Sequence, residues 1–231
     1  MAKIILTIDD MPQENTPALV DWLSAMEIPA VFFAVGENLE KHPEIAVYAL
    51  QKGFLIGNHS YSHPAFSAIS LEEGIREITR TEVILDQIYR EAGVKREHKI
   101  FRFPYIDKGG VFRGAYQDYL RKAGFSKLVD SGIEAPGYLS QGMHRDMDTA
   151  CSFDCQEYNI PPGALTIQDV LHRIEEGDPG MGSSVTDESE QIVLLHSHDD
   201  TERCVPEYYR LILGKMLEFG AVFMRPMFIS G

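Results

Sequence analysis

Two aspartates close the first apolar run of the chain, where Ile4-Ile5-Leu6 leads into Thr7-Ile8-Asp9-Asp10. Adjacent carboxylates at the end of a buried strand are costly unless compensated, and buried charges are normally paired or bound to a metal. Further on, Asn58-His59-Ser60-Tyr61-Ser62-His63-Pro64 supplies two imidazoles at i, i+4, a spacing that puts both rings on one face of a helical turn. One carboxylate and two imidazoles leave a coordination position open for water, the arrangement of a hydrolytic metal centre. The other carboxylate is then free to take a proton from that water. This donor set suits Zn²⁺, with Co²⁺, Ni²⁺ and Fe²⁺ as alternative divalent ions. Such a metal lowers the pKa of bound water toward about 7 and polarises a carbonyl oxygen. Either half alone is a weak signal. A lone His pair is more often solvent-facing, and Asp-Asp before Met11-Pro12 also reads as a turn. Their convergence favours the metal.

Two further residues fit that chemistry. Arg102 ends an apolar stretch, and besides a surface salt bridge it offers a clamp on the catalytic carboxylate. His196 ends the run Ile192-Val193-Leu194-Leu195, which makes it either a satisfied core histidine or a proton donor to a leaving group. His198, two residues on, competes for that role. Cys151 and Cys155 lack a second cysteine pair or a nearby histidine, so they read as buried free thiols rather than metal ligands.

The elements that must position these residues alternate in type. Strands are expected at 4–8, 30–35, 54–57, 100–103, 125–129, 143–147, 192–195 and 221–224. Helices are expected at 16–26, 39–52, 70–91, 115–123, 166–176 and 202–219. Ser70 with Glu73 forms a capping box for the longest helix, and Gly53 stops the second. Residues 148–163 read as irregular. Alternating β and α units imply a parallel sheet. About seven or eight of them fit a distorted α/β barrel with a TIM-barrel-like plan, whose active site lies at the C-terminal ends of the strands. Asp9, Asp10, His59, His63, Arg102 and His196 all fall at such ends.

The 231 residues suit a single catalytic domain over 1–231, and the 44% of hydrophobic residues suffice for its core. A net charge of -14 argues against a nucleic-acid partner, because phosphate binding needs a basic surface. No stretch approaches the roughly 18 apolar residues of a membrane span. Met1-Ala2-Lys3 runs straight into the first strand without an export signal, and the three cysteines make no disulfide framework. A cytoplasmic location is the expectation.

The residues also carry a resemblance. Thr7-Ile8-Asp9-Asp10, Ala30-Val31-Phe32-Phe33, His59-Ser60-Tyr61-Ser62-His63, Phe101-Arg102-Phe103-Pro104-Tyr105 and Leu194-Leu195-His196 occur in the order of the motifs of the polysaccharide deacetylase family, the NodB-homology domain of the carbohydrate esterases. The resemblance implies a distorted (β/α) barrel with a divalent metal, usually zinc, on Asp10, His59 and His63. It implies Asp9 as base held by Arg102, His196 as acid, and the backbone N–H of Tyr105 as a donor to the oxyanion. The implied reaction is deacetylation of an N-acetylated, sometimes O-acetylated, sugar. Two motifs depart from the pattern. Met11 replaces the glycine after the Asp pair. The fourth motif, usually Asp-x-x-Asp-Trp, has no tryptophan, since Trp22 is the only one and lies far away. Asp148 is assigned as the partner that orients His196, with Asp154 as second choice. The missing tryptophan leaves open a small non-sugar amide as substrate, such as a formamide or cyclic amide, and a catalytically silent glycan-binding member is the reading outside enzymes.

Overall fold

The structure, a computed structural model, describes residues 1–230. Its centre is β1 (Lys3–Met11), flanked in a parallel sheet by β2 (Ala30–Ala34) and β3 (Leu55–Asn58) on one side and by β6 (Glu190–His196) and β5 (Phe153–Asp154) on the other, in the order β3-β2-β1-β6-β5. The two-residue β7 (Val222–Phe223) adds to the start of β1.

The sheet curls into a distorted barrel, and the seam is made of single hydrogen bonds rather than long ladders. Asn58 N donates to Ile100 O at 2.9 Å and Arg102 N to Asn58 O at 3.0 Å. Thr149 N then donates to Phe101 O at 2.8 Å, and Ser152 N to Ile192 O at 2.9 Å. Segment 149–154 thus closes the wall between residues 100–102 and β6.

Alternation along each strand decides what faces the lumen. Ile4, Leu6 and Ile8 of β1 pack outward with Phe32, Val193 and Leu195 against the helices. Ile5 packs inward with Ile192 and Leu194, and Val31 and Phe33 of β2 meet Ile100. Continuing the inward parity leads from Ile5 through Thr7 to Asp9, from Gly57 to His59, and from Ile192 through Leu194 to His196. The lumen is apolar below and polar at the strand ends. Gly57 is required by this packing, since a Cβ there would lie 2.5 Å from Ile100 Cγ1 and 2.9 Å from Phe33 Cε1.

The outer layer is α1 (Thr16–Ala25), α2 (Gly36–Lys41), α3 (Pro43–Gln51), α4 (Leu71–Ala92), α5 (Arg113–Lys122), α6 (Pro136–Ser140), α7 (Ile167–Glu176), α8 (Asp199–Cys204) and α9 (Tyr208–Glu218). The Ser70–Glu73 capping box is present at α4, whose C-cap Gly93 is left-handed at φ 69.

Several expected elements differ. The single helices expected at 39–52 and 202–219 are each two. Pro43 and Pro206 force the residue before them out of helical geometry, with His42 at φ -135, ψ 54 and Val205 at φ -138, ψ 90. The strand expected at 100–103 is reduced to one parallel bridge, Asn58 with Phe101, because Pro104 removes a donor just beyond it. The fifth strand is β4 (Ser126–Leu128), which pairs antiparallel with the C-terminal β8 (Phe228–Ser230) instead of joining the parallel sheet. Residues 143–145 form a 3-10 turn entered through the left-handed Gly142, not a strand. The irregular 148–163 contains β5 and a second such turn, Glu157–Asn159.

Candidate metal centre

β1 and β3 deliver three donors to one point. One ligand atom from each of Asp10, His59 and His63 lies within 4.8 Å of the others. Asp10 Oδ1 is 3.3 Å from His63 Nε2 and 3.7 Å from His59 Nε2. His59 Nδ1 is 2.9 Å from the carbonyl of Arg102, which can only accept. That fixes the proton on Nδ1 and leaves the Nε2 lone pair facing the carboxylates. Burial, with His59 close by, outweighs Asp10 and Asp9 and lowers the His63 pKa to about 4, so its ring is neutral at ordinary pH. Two imidazoles with a carboxylate are the donor chemistry of a divalent-cation site, and these residues fit such an ion.

The loop that carries the two histidines is held from α4. Glu77 Oε2 accepts from Tyr61 N at 2.9 Å and Ser62 N at 2.7 Å, and the Arg80 guanidinium stacks on the Tyr61 ring. Asn58 Nδ2 donates to Glu82, while its Oδ1 accepts from Ser60 N at 2.8 Å. Four non-glycine residues here are left-handed: Asp10 at φ 69, Ser60 at 65, His63 at 58 and Tyr105 at 57. Each such conformation costs on the order of 1–3 kcal/mol and persists only where surroundings enforce it. The two glutamates and Asn58 supply that enforcement for the histidine loop.

Asp9 is buried beside this cluster, with Oδ2 3.4 Å from His59 Nε2 and Oδ1 accepting from Arg102 Nη1 at 2.7 Å. Arg102 is fully enclosed. It also donates to Thr7 Oγ1 and to the Thr149 carbonyl, both at 2.9 Å, and lies over the Phe33 ring. Burial alone would raise the Asp9 pKa, but Arg102, His59 and His196 overcome it and hold the carboxyl below its ordinary range. Tyr105 presents an exposed ring edge-on to His63, with centroids 4.7 Å apart.

His196 stands opposite Asp9 in the β1–β6 register. Its partner is neither Asp148 nor Asp154. Asp148 is turned away into a salt bridge with Lys108 at 2.9 Å and accepts from Gln117 at 2.7 Å. The Asp154 carboxylate accepts from Gln156 N at 2.9 Å and from the Tyr158 hydroxyl at 3.2 Å. Glu157, fully buried, takes the position, with Oε1 2.6 Å from His196 N and 3.0 Å from His196 Nδ1. Burial pushes the His196 pKa down, but Glu157, with Asp10 and Asp9, reverses it and raises it to about 10. Tyr158 sets its ring against the imidazole, with centroids 4.7 Å apart. His198 bonds through Nδ1 to Thr201 Oγ1 at 2.8 Å. Cys151 and Cys155 are buried free thiols, both pushed up by burial, Cys151 to about 12.

The polysaccharide deacetylase family model matches residues 2–127, more than half of the chain. The chain belongs to this family. It is 41% identical over 88 residues to the peptidoglycan-N-acetylglucosamine deacetylase of Bacillus cereus, a match covering 38% of this chain and 32% of that protein. It is 30% identical over 162 residues to chitin deacetylase 1 of Cryptococcus neoformans, covering 70% of this chain and 30% of that one. The chain thus spans about a third of the length of these curated relatives. The solved Bc1960 peptidoglycan N-acetylglucosamine deacetylase shares the fold with a TM-score of 0.65 over 96% of this chain and 85% of that one, at 22% identity.

Within the deacetylase pattern, the fourth motif is altered rather than lost. Asp154-Cys155-Gln156-Glu157-Tyr158 keeps the spacing Asp-x-x-acid-aromatic, with Glu for Asp and Tyr for Trp. A search for tryptophan alone passes over it. Allowing the longer acid and the other aromatic finds both Glu157 and Tyr158.

Proposed function

We propose that this protein is a metal-dependent hydrolase that removes the acetyl group from an N-acetylated sugar or oligosaccharide. The observation that carries the reading is an ionised carboxylate, Asp9, and a charged imidazole, His196, paired at the ends of adjacent strands β1 and β6, with Asp9 beside the Asp10–His59–His63 cluster. Those three residues would hold the divalent ion, Zn²⁺ by preference, which when bound acidifies water and polarises the scissile carbonyl.

The rest is done by the chain. Arg102 keeps Asp9 ionised and fixes one of its oxygens, so the other is aimed at a water in the cleft and takes its proton. The Tyr105 backbone N–H offers a donor to the oxygen that becomes negative. Amide cleavage expels an amine, which is a poor leaving group until protonated. The His196 imidazolium supplies that proton, and Glu157 stabilises the charged ring beforehand. The exposed Tyr105 ring gives a sugar an apolar face to lie on. Three unpaired cysteines favour a reducing compartment as the place of action.

Acetate release from N-acetylglucosamine oligomers by the zinc-loaded protein, lost in Asp9→Asn and His196→Ala, tests the reading. The Tyr158 hydroxyl, standing where the family carries an indole, favours one second reading: hydrolysis of another non-peptide C–N bond, such as a formamide or cyclic amide. Formate release or ring opening without acetate release would select it.

A further inference from the structure

We propose that Asp154, Glu157 and His196 form a second cation site, whose occupation by Zn²⁺ withdraws His196 from proton transfer. The ligand atoms of these three residues lie within 4.8 Å of one another, as do those of the first cluster, and all three side chains are buried or half-buried. Glu157 Oε1 is 3.0 Å from His196 Nδ1, a separation that two ligands of one small cation can share. Its other oxygen, Oε2, is buried and has no hydrogen-bond partner. An unpaired carboxylate oxygen inside a protein is an unmet demand for a proton or a cation.

The remaining buried acids near the lumen have their demand met by basic side chains. Asp9 has Arg102, and Asp146 and Asp148 share Lys108. Among the described residues, no lysine or arginine side chain forms a salt bridge with Asp154 or Glu157. The nearby Arg173 spends its guanidinium on the Asp154 carbonyl and on Asp178. Two carboxyl groups therefore share one imidazole.

When a cation enters, the Nδ1 proton leaves to solvent and the Nδ1 lone pair goes to the metal. The ring is then a neutral imidazole, and the proton left on Nε2 is far less acidic than that of an imidazolium. The hydrolysis would stall with the first metal still in place. The inhibitory consequence rests on His196 being the proton donor, whereas the binding itself does not. The test therefore counts metal.

The wild-type protein is dialysed against Zn²⁺ and the bound metal is measured. We expect a tight first equivalent and a weaker second one that fills when Zn²⁺ is in about tenfold excess. Asp154→Asn, which keeps the acceptor for Gln156 N, should bind the first equivalent and lose the second, with an unchanged melting temperature for the one-metal form. His59→Ala should lose the first and keep the second. A wild-type protein that stops at one equivalent overturns the proposal without any variant. So does an Asp154→Asn protein that takes up two equivalents as readily as the wild type.

Discussion

Glu157 holds His196 twice with one oxygen, accepting from the backbone N–H at 2.6 Å and from the ring Nδ1 at 3.0 Å. The first bond fixes the end of β6 and the second fixes the imidazole relative to it. Orientation and charge are therefore separable. Glu157→Gln keeps an acceptor oxygen for both bonds but removes the charge. The His196 pKa, raised by Glu157, should fall, so the descending alkaline limb of kcat/KM moves to lower pH. Turnover of an amide at neutral pH should drop about 10²-fold. An activated ester, whose leaving group needs no proton, should suffer far less. An alkaline limb at the same pH in both proteins would exclude the assignment.

The same pair predicts a pH-dependent stability in the metal-free protein. The folded-state pKa is raised above the ordinary 6.5, so the contribution is complete below 6.5 and is lost as pH rises through about 10. Melting curves across that window should slope downward in the wild type, and the slope should flatten in Glu157→Gln.

The two adjacent aspartates should part company. Asp9→Asn keeps the Asp10–His59–His63 donors and should retain metal while losing about 10²–10⁴-fold in turnover. Asp10→Asn should weaken the metal itself. Metal content measured beside activity distinguishes them, and the opposite pattern would exchange their roles.

Arg102 is enclosed and carries the charge that offsets buried Asp9. Arg102→Met leaves that carboxylate unpaired, and removing one partner of a buried pair costs about 3–5 kcal/mol. Denaturant unfolding should show a loss of that size. Adding Asp9→Asn to Arg102→Met should recover a large part of it, because the stranded charge is gone. Full additivity of the two losses would mean the pair is not coupled.

Much of this architecture is legible in the chain because one rule, side-chain alternation, sets both the core and the site. Ile5, Thr7 and Asp9 share a face, so an apolar strand that ends in a polar residue on the inward parity announces a lumen site. The capping box at Ser70 is equally local. Proline is where local reading went astray: Pro43 and Pro206 lie inside otherwise periodic stretches, and each splits a helix. The β4–β8 pairing is invisible locally, since strands from distant parts of the chain meet only through the closed barrel. Asp148 is a near match to the altered fourth motif, but Lys108 and Gln117 claim its carboxylate. Glu157 is hidden in the sequence by two substitutions in one motif, Glu for Asp and Tyr for Trp, and the fold shows it by its contacts with His196.

The seam at 149–154 divides the molecule mechanically. Of the three cation donors, Asp10 lies in β1, where the ladder to β2 shifts register between Ile8 and Met11, and His59 and His63 follow β3, which pairs with β2 from Leu55 to Asn58. The proton donor's partner, Glu157, follows β5, a two-residue strand tied to residues 100–102 by little more than the Thr149–Phe101 bond and the Arg102 side chain. Thermal breathing should concentrate at that thin join. Amide exchange at Thr149 should accordingly outpace that at Leu6. Loosening there would tilt the acid's support while the cation donors stay in place, so a mutation at that join should disturb acid strength before cation affinity.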